Sequence, residues 1–424
     1  MVLPVSLAAC GSQGGSETTV SASVQKFATP GTSIPSAHVN WGMAPFPDEV
    51  LPYVGMRLGY FKDVGIDIGP TPSGAKVDCT GSIAPLLTGQ VDICSGALEA
   101  LVSNLDNTQE VRSFVSMDTV DGLGIFIPPG SSAKSVQDFM NEGDSFSVAI
   151  QKAMAQLKGK RVALATDPAA RLLYNIAFSL GHITPDQFQR SDLSNPNIVS
   201  LALAGKTDFP APSGGAEVVR LLGAGFRPMV TQAQIQKFSN DPRRFETAIH
   251  GSFITTNSYY NDHYDTILRA ASVVYRILAL AHTDFPALAR VELPFINAYA
   301  GQNLSQAQLH DELTNFAVLR TFDTVAPFYN GSGADAALNI ETTVNAQIQA
   351  LRRAGVLKQE HTAADIVGSA KVWHDLMDLR ARCDQLFKQV GSGGSNASTV
   401  QAAREQYAHL NFLDAYRFLA SIQQ

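Results

Sequence analysis

A chain of 424 residues is longer than one hydrophobic core usually supports, so two domains are expected. Its 45 % apolar and 16 % charged residues are those of an ordinary globular protein, and a formal net charge of −7 argues against a nucleic-acid partner. No apolar run is long and clean enough to cross a bilayer as a mature segment.

At the start of the chain, Leu7-Ala8-Ala9-Cys10 resembles the lipobox cut by lipoprotein signal peptidase after lipid is attached to the Cys thiol. Few residues precede Cys10 for a signal sequence, and no Lys or Arg stands ahead of their apolar part, which points to a start placed too late or to a trimmed chain. Gly, Ser and Thr from Gly11 to Ser23 supply a flexible tether. Read so, residues 1–10 are a truncated lipoprotein signal and 11–35 a tether. Lipidation at Cys10 then holds the chain on a membrane by acyl burial alone. An incidental Cys in a frayed terminus is the plain alternative.

His38 to Gly42 leads into the loop Met43-Ala44-Pro45-Phe46-Pro47. Asp48 and Glu49 then complement the positive end of a helix over Val50 to Leu58, with Pro52 in its first turn. Gly59 sits where a helix ends and Gly65 where a tight turn needs positive φ; Ile66 and Ile68 alternate with Asp67 as in a strand. Pro70 to Gly74 is a loop. A helix over Ser82 to Thr88, a strand ending at Cys94 and a helix over Ala97 to Leu105 come next, the last opening on Ser95-Gly96.

Leu123 to Ile127 is a strand that stops at Pro128-Pro129-Gly130. Arg161 to Ala165 is the next, and Thr166-Asp167-Pro168 is good start chemistry for a helix to about Leu180. Phe209 to Ser213 ends a further strand, and Gly214 to Leu222 is helical. Ser252 to Thr256 alternates as a strand. From Tyr264 helical periodicity dominates, with Ile267, Ala270, Ala271, Val274 and Leu278 on one face. Ile340 to Ala354 is a helix closing on Gly355. After the Gly/Ser linker from Gly391 to Ser398, one helix carries Tyr407, Leu410, Leu413 and Tyr416; it reads as a cover over the body, with docking of a partner as the alternative.

Four of these stretches carry a resemblance. In order they are Gly59-Tyr60-Phe61-Lys62-Asp63-Val64-Gly65-Ile66-Asp67, Leu86-Leu87-Thr88-Gly89-Gln90-Val91-Asp92-Ile93-Cys94-Ser95-Gly96, Leu157-Lys158-Gly159-Lys160-Arg161-Val162-Ala163-Leu164 and Leu203-Ala204-Gly205-Lys206-Thr207-Asp208. Together they resemble the solute-binding proteins of ABC importers, in the nitrate/sulfonate/taurine and thiamine-pyrimidine group, over roughly residues 38 to 360. The resemblance implies an α/β fold of the periplasmic-binding-protein-like type II. Each of its two lobes is a mostly parallel sheet flanked by helices, and a C-terminal helical extension is added. Lobe one is then 36–128 with 250–424, and lobe two 129–249, where 131–157 enlarges the usual connection. Strands near Gly124 to Ile127 and Ser252 to Thr255 would act as hinges. A monomer working outside the cytoplasm with an ABC permease is implied.

In an open parallel sheet, ligands lodge outside the carboxyl ends of the strands. Four such corners carry small or hydroxyl residues: Ser73-Gly74, Ser95-Gly96, Thr166-Asp167 and Ser213-Gly214. Facing each other across a cleft they would ring a small polar or anionic solute (nitrate, sulfonate, taurine or pyrimidine-like) with donors; each pair also reads as a simple cap or turn. Trp41, Gly42, Met43 and Phe46 follow the first strand and would form an apolar wall, or simply pack. Arg171 has the fork for an anion, unless Asp167 or solvent takes it. Asp121 and Glu99 instead suit a cationic or amide-bearing solute, so the charge of the solute stays open. Cys79 and Cys94 would lie near one edge, bridged or free. No metal-ligand spacing, cofactor motif, G-x-S-x-G elbow or phosphate loop presents itself, so a binding protein without a cofactor is expected, not an enzyme. The alternative is a thiamine-pyrimidine-synthesising or other enzyme on the same fold.

Overall fold

The structure, a computed structural model, describes residues 21–423 apart from 78, 80, 81, 104, 108, 109, 167 and 391–395, and leaves out the side chains of Ala100, Pro168, Ala169 and Ala334. Cys10, the first part of the tether, Asp167 and most of the Gly/Ser linker therefore lie outside the described residues.

In chain order the strands are β1 (Ala37–Met43), β2 (Ile66–Gly69), β3 (Ala75–Lys76), β4 (Ile93–Ala97), β5 (Val111–Ser116), β6 (Asp118–Val120), β7 (Gly124–Ile127), β8 (Arg161–Ala165), β9 (Gln189–Leu193), β10 (Phe209–Ala211), β11 (Arg227–Thr231), β12 (Gly251–Thr256) and β13 (Ala317–Leu319). The larger sheet runs β2-β1-β4-β12-β5, with β3 on β1. Its β1, β2, β3 and β4 are parallel, and β12 pairs antiparallel with β4 and β5. A second sheet, β10-β8-β9, is wholly parallel. Helices cover these sheets, and the fold is a mixed α/β one with parallel-rich sheets.

Two large apolar cores form. One gathers Val24 to Met117 with Phe253 to Leu413; the other gathers Leu123 to Ile249 together with Phe316 and Ala317. We call the bodies built on them the first and second lobes. The chain passes between them at β6–β7 and again ahead of β12. In the first lobe Trp41 is fully buried, its ring 5.3 Å from Phe61, 6.1 Å from Phe114 and 5.2 Å from Phe253. That places it in a core of aromatics at aromatic-pair distances, away from any cleft wall.

Local chemistry explains the opening motif. Gly59 closes the helix Leu51–Leu58 at φ +80°, and Gly65 turns at φ +73°, where a Cβ would meet the Pro35 carbonyl oxygen at 2.5 Å. Beneath this turn runs the helix Tyr264–Thr283, whose buried Arg269 donates to Asp265 Oδ2 at 2.7 Å and to the Val64 carbonyl at 3.2 Å. Cys79 and Cys94 are joined in a disulfide. Cys94 also explains Gly42: a Cβ there would lie 2.8 Å from Cys94 Sγ.

The enlarged segment 131–157 carries the helices Val136–Asn141 and Phe146–Ala155. One element differs from expectation. The last expected helix is two, Ala397–Ala408 and Phe412–Ser421, broken where Leu410 adopts φ 60° and Asn411 caps the second. The break lets both helices reach the body. Phe412 and Leu413 join the first-lobe core, and Gln406 Nε2 donates to the Asp63 carbonyl at 3.1 Å.

Candidate functional site

Between the lobes lies a cavity of about 630 Å³ at the carboxyl ends of β1, β8, β9 and β10. The first lobe contributes Pro45, Phe46, Tyr299, Ala300 and Gln302; the second contributes Thr166, Ser194, Asn195, Ser213 and the start of the helix Gly215–Gly223. Glu217 in that helix's first turn and Glu312 complete the lining.

Each wall is held from behind. Tyr299 donates its hydroxyl to the Met43 carbonyl at 2.7 Å, fixing the helix Phe285–Ala300 to the end of β1. On the other side the Ser213 amide donates to Asn195 Oδ1 at 2.9 Å, so the β9 and β10 corners are tied together. Phe46 keeps 38 % of its surface exposed at the cavity.

Of the sequence-derived residues, Phe46, Thr166 and Ser213 line this cavity. Gly214 stands just behind it as the residue before the helix. The first-lobe corners do not line it. Ser95 is fully buried and its hydroxyl accepts the Ala44 amide at 3.0 Å; Gly96 sits within β4, opposite Ser252 of β12. Gly74 is packed so that a Cβ would meet Met43 Cε at 2.5 Å, and Ser73 shares its turn away from the lining. Trp41 belongs to the aromatic core and Gly42 to the surroundings of the disulfide. Arg171 does not line the cavity either: it lies 3.4 Å from Asp192. Nor does Glu99, whose carboxylate accepts the His250 amide at 2.8 Å and meets His250 Nδ1 at 2.6 Å, all buried. Asp121 lines a second cavity of about 570 Å³ with Phe126, Val219 and Phe316.

The surroundings of the cleft are acidic. Asp118 is fully buried on β6; its Oδ1 accepts the Gly251 amide at 3.0 Å while Oδ2 has no partner. Asp48 faces it, and burial pushes the Asp48 carboxyl up to about 6. Burial and then the Asp48 charge drive Asp118 well above the usual carboxylate range. Glu292 is fully buried with neither carboxylate oxygen partnered, and Glu312, 2 % exposed, has Oε2 unpartnered. Burial lifts both well up, reinforced for Glu292 by Glu312 and Asp48 and for Glu312 by Asp48 and Glu217. Glu217 is raised as well, by burial, with Arg220 opposing. Asp48 and Glu49 thus belong to this acidic cluster more than to the helix start expected of them. Of the cavity-lining residues, none is Lys, Arg or His. Among the described residues no group of three or more His, Cys, Asp or Glu has metal-holding geometry, and no helix is long and apolar enough to cross a membrane.

No protein-family model matches the chain, and no curated protein is significantly similar in sequence. Its fold is nonetheless shared. The periplasmic aliphatic sulphonate-binding protein SsuA of Escherichia coli superposes with a TM-score of 0.54 at 12 % identity, over 80 % of this chain and 99 % of that one. The alkanesulfonate-binding protein SsuA of Xanthomonas axonopodis pv. citri, bound to MOPS, gives 0.50 at 14 % identity over 79 % and 99 %. The desulfurization enzyme DSZB also gives 0.50, at 12 % identity over 80 % and 99 %. The chain therefore has the periplasmic-binding-protein-like fold.

Proposed function

We propose, from the fold it shares with periplasmic binding proteins, that this chain is the solute-binding component of an ABC importer and works outside the cytoplasm as a monomer. The observation that carries this reading is the cavity between the lobes, lined from both of them at strand carboxyl ends. A small polar solute is captured there. The crossings at β6–β7 and just ahead of β12, beside the strands Gly124 to Ile127 and Ser252 to Thr255, serve as hinges, and the closed form is the one offered to the membrane permease. Cys10 carries lipid that keeps the receptor at the membrane. Replacing it by Ser is expected to move the full-length protein from the detergent to the aqueous phase on partitioning.

The direct test is a solute-induced rise in melting temperature that grows with occupancy, together with a smaller radius of gyration in solution scattering. If no small solute produces both, the reading fails. A second reading is favoured by one observation, the desulfurization enzyme on the same fold. Glu217 and Glu312, raised by burial at the cavity, are groups an enzyme would use for proton transfer. Turnover of a bound solute would establish that reading instead.

A further inference from the structure

We infer, resting on the receptor reading, that the solute is a small organic cation whose ammonium group is taken by Glu312 and Glu217, with Glu292 behind them. Glu312 lines the cavity, is 2 % exposed and leaves Oε2 without a partner. Glu292 is wholly buried and neither of its oxygens has a partner. A buried carboxylate in that condition costs several kcal/mol unless a charge or a donor reaches it. The lining residues offer no cationic side chain to do so.

The neighbouring geometry excludes the opposite sign. The start of the helix Gly215–Gly223, where Gly214 supplies no side-chain cap, is the natural anion seat of the second lobe, at the positive end of the helix. Glu312 already stands on it: a Cβ on Gly215 would lie 2.4 Å from Glu312 Oε1. Glu217 crowds the preceding residue, with Oε2 placed 2.1 Å from where a Cβ on Gly214 would be. An arriving sulfonate or nitrate meets carboxylates where it needs amides. Across the cavity Phe46 and Tyr299 present aromatic rings, which favour a cation and an apolar body alike. The basic group beside this wall, Lys76, has its Nζ 4.8 Å from the Tyr299 ring centroid and is not part of the lining. Burial raises Glu312 and Glu292 in the empty protein, which is the condition that a bound ammonium relieves.

The experiment is thermal shift followed by calorimetry on the full chain, with choline, putrescine and agmatine in one arm and ethanesulfonate and nitrate in the other. Binding by at least one of the three cations is expected, with a concentration-dependent rise of about 3 °C or more. Glu312→Gln is expected to weaken that cation about tenfold or more while leaving the empty protein as stable or more so. Glu217→Gln supplies the same reading if Glu312→Gln does not fold. Stabilisation by ethanesulfonate or nitrate alone overturns the cation and leaves the receptor standing. Cation binding unchanged in both variants overturns the assigned seat. No response in either arm overturns the cation alone, and the receptor reading falls only if a wider solute screen is silent as well.

Discussion

The corners at the ends of β4 and β10 are alike in sequence, Ser-Gly in each case, and unlike in use. Ser95 is sealed inside the first lobe, where its hydroxyl holds the Ala44 amide. Ser213 is partly open to the cavity, and its amide is already satisfied by Asn195. The difference lies in the element laid against each strand end. The end of β4 is still inside the sheet, with Ser252 and Phe253 of the returning β12 opposite Gly96 and Ser95, so that corner becomes core. The end of β10 turns straight into the helix Gly215–Gly223 at the cavity, and that corner stays a wall. Hydroxyl residues at strand ends mark where a site can be built; the next layer of the fold decides whether one is.

The comparison breaks most readily in the first lobe. Trp41→Ala removes the centre of the aromatic core and is expected to cost about 3–5 kcal/mol in urea unfolding. Affinity for a cleft solute should survive in whatever fraction remains folded, since Trp41 does not line the cavity. A loss of affinity in the folded fraction would return Trp41 to the cleft wall. Next in size is the Cys79–Cys94 disulfide, which closes a loop of sequence separation 15. Its reduction is expected to cost about 3 kcal/mol by loop entropy, read as a lower melting temperature in reductant. Sharper still is the matched pair. Ser95→Ala strands the buried Ala44 amide and should cost about 1–3 kcal/mol without touching affinity. Ser213→Ala should cost within about 0.5 kcal/mol and weaken solute binding instead.

Much of the frame was legible because it is local. Gly59 and Gly65 announce their positive φ, and Ile66 and Ile68 their strand. The helices at Pro168, Tyr264 and Ile340 follow from capping chemistry and periodicity. Thr166, Ser213 and Phe46 could be placed at the cavity by the rule that ligands sit at strand carboxyl ends. Ser194 and Asn195 obey the same rule after β9 and were missed, because Gln189–Leu193 is polar and exposed and gives little strand signal. The acidic cluster was illegible for a stronger reason. Asp48, Asp118, Glu217, Glu292 and Glu312 come from five separate segments, and in each the acid looks like a helix-start or solvated position. Only tertiary packing turns them on one another. Leu410 illustrates the same limit at short range, since nothing in its side chain foretells a left-handed break.

The smallest effect tests that packing directly. Burial lifts Asp48 from an ordinary 3.8 to about 6 against the hydrogen bonds that hold it down, and burial with the neighbouring acids raises Asp118, Glu292 and Glu312 well above the usual range. A carboxyl whose folded value is raised holds its proton in the native state after the unfolded chain has lost it. It therefore stabilises fully below about pH 3.8, and that contribution fades as pH climbs to 6 and beyond. The empty protein should lose stability over this window at no more than about 1.4 kcal/mol per pH unit for each proton. Asp106, Asp138, Asp208 and Asp241, held low by hydrogen bonds, act oppositely but below pH 3.8. The groups facing Asp48 are Glu49, Asp118, Glu292 and Glu312, with Arg220 present only beside the more distant Glu217. Asp48→Asn should flatten the slope between pH 4 and 6, measured by urea unfolding at each pH. An unchanged slope would mean that Asp48 titrates as a solvated acid and that the first lobe does not press its charge against the cleft.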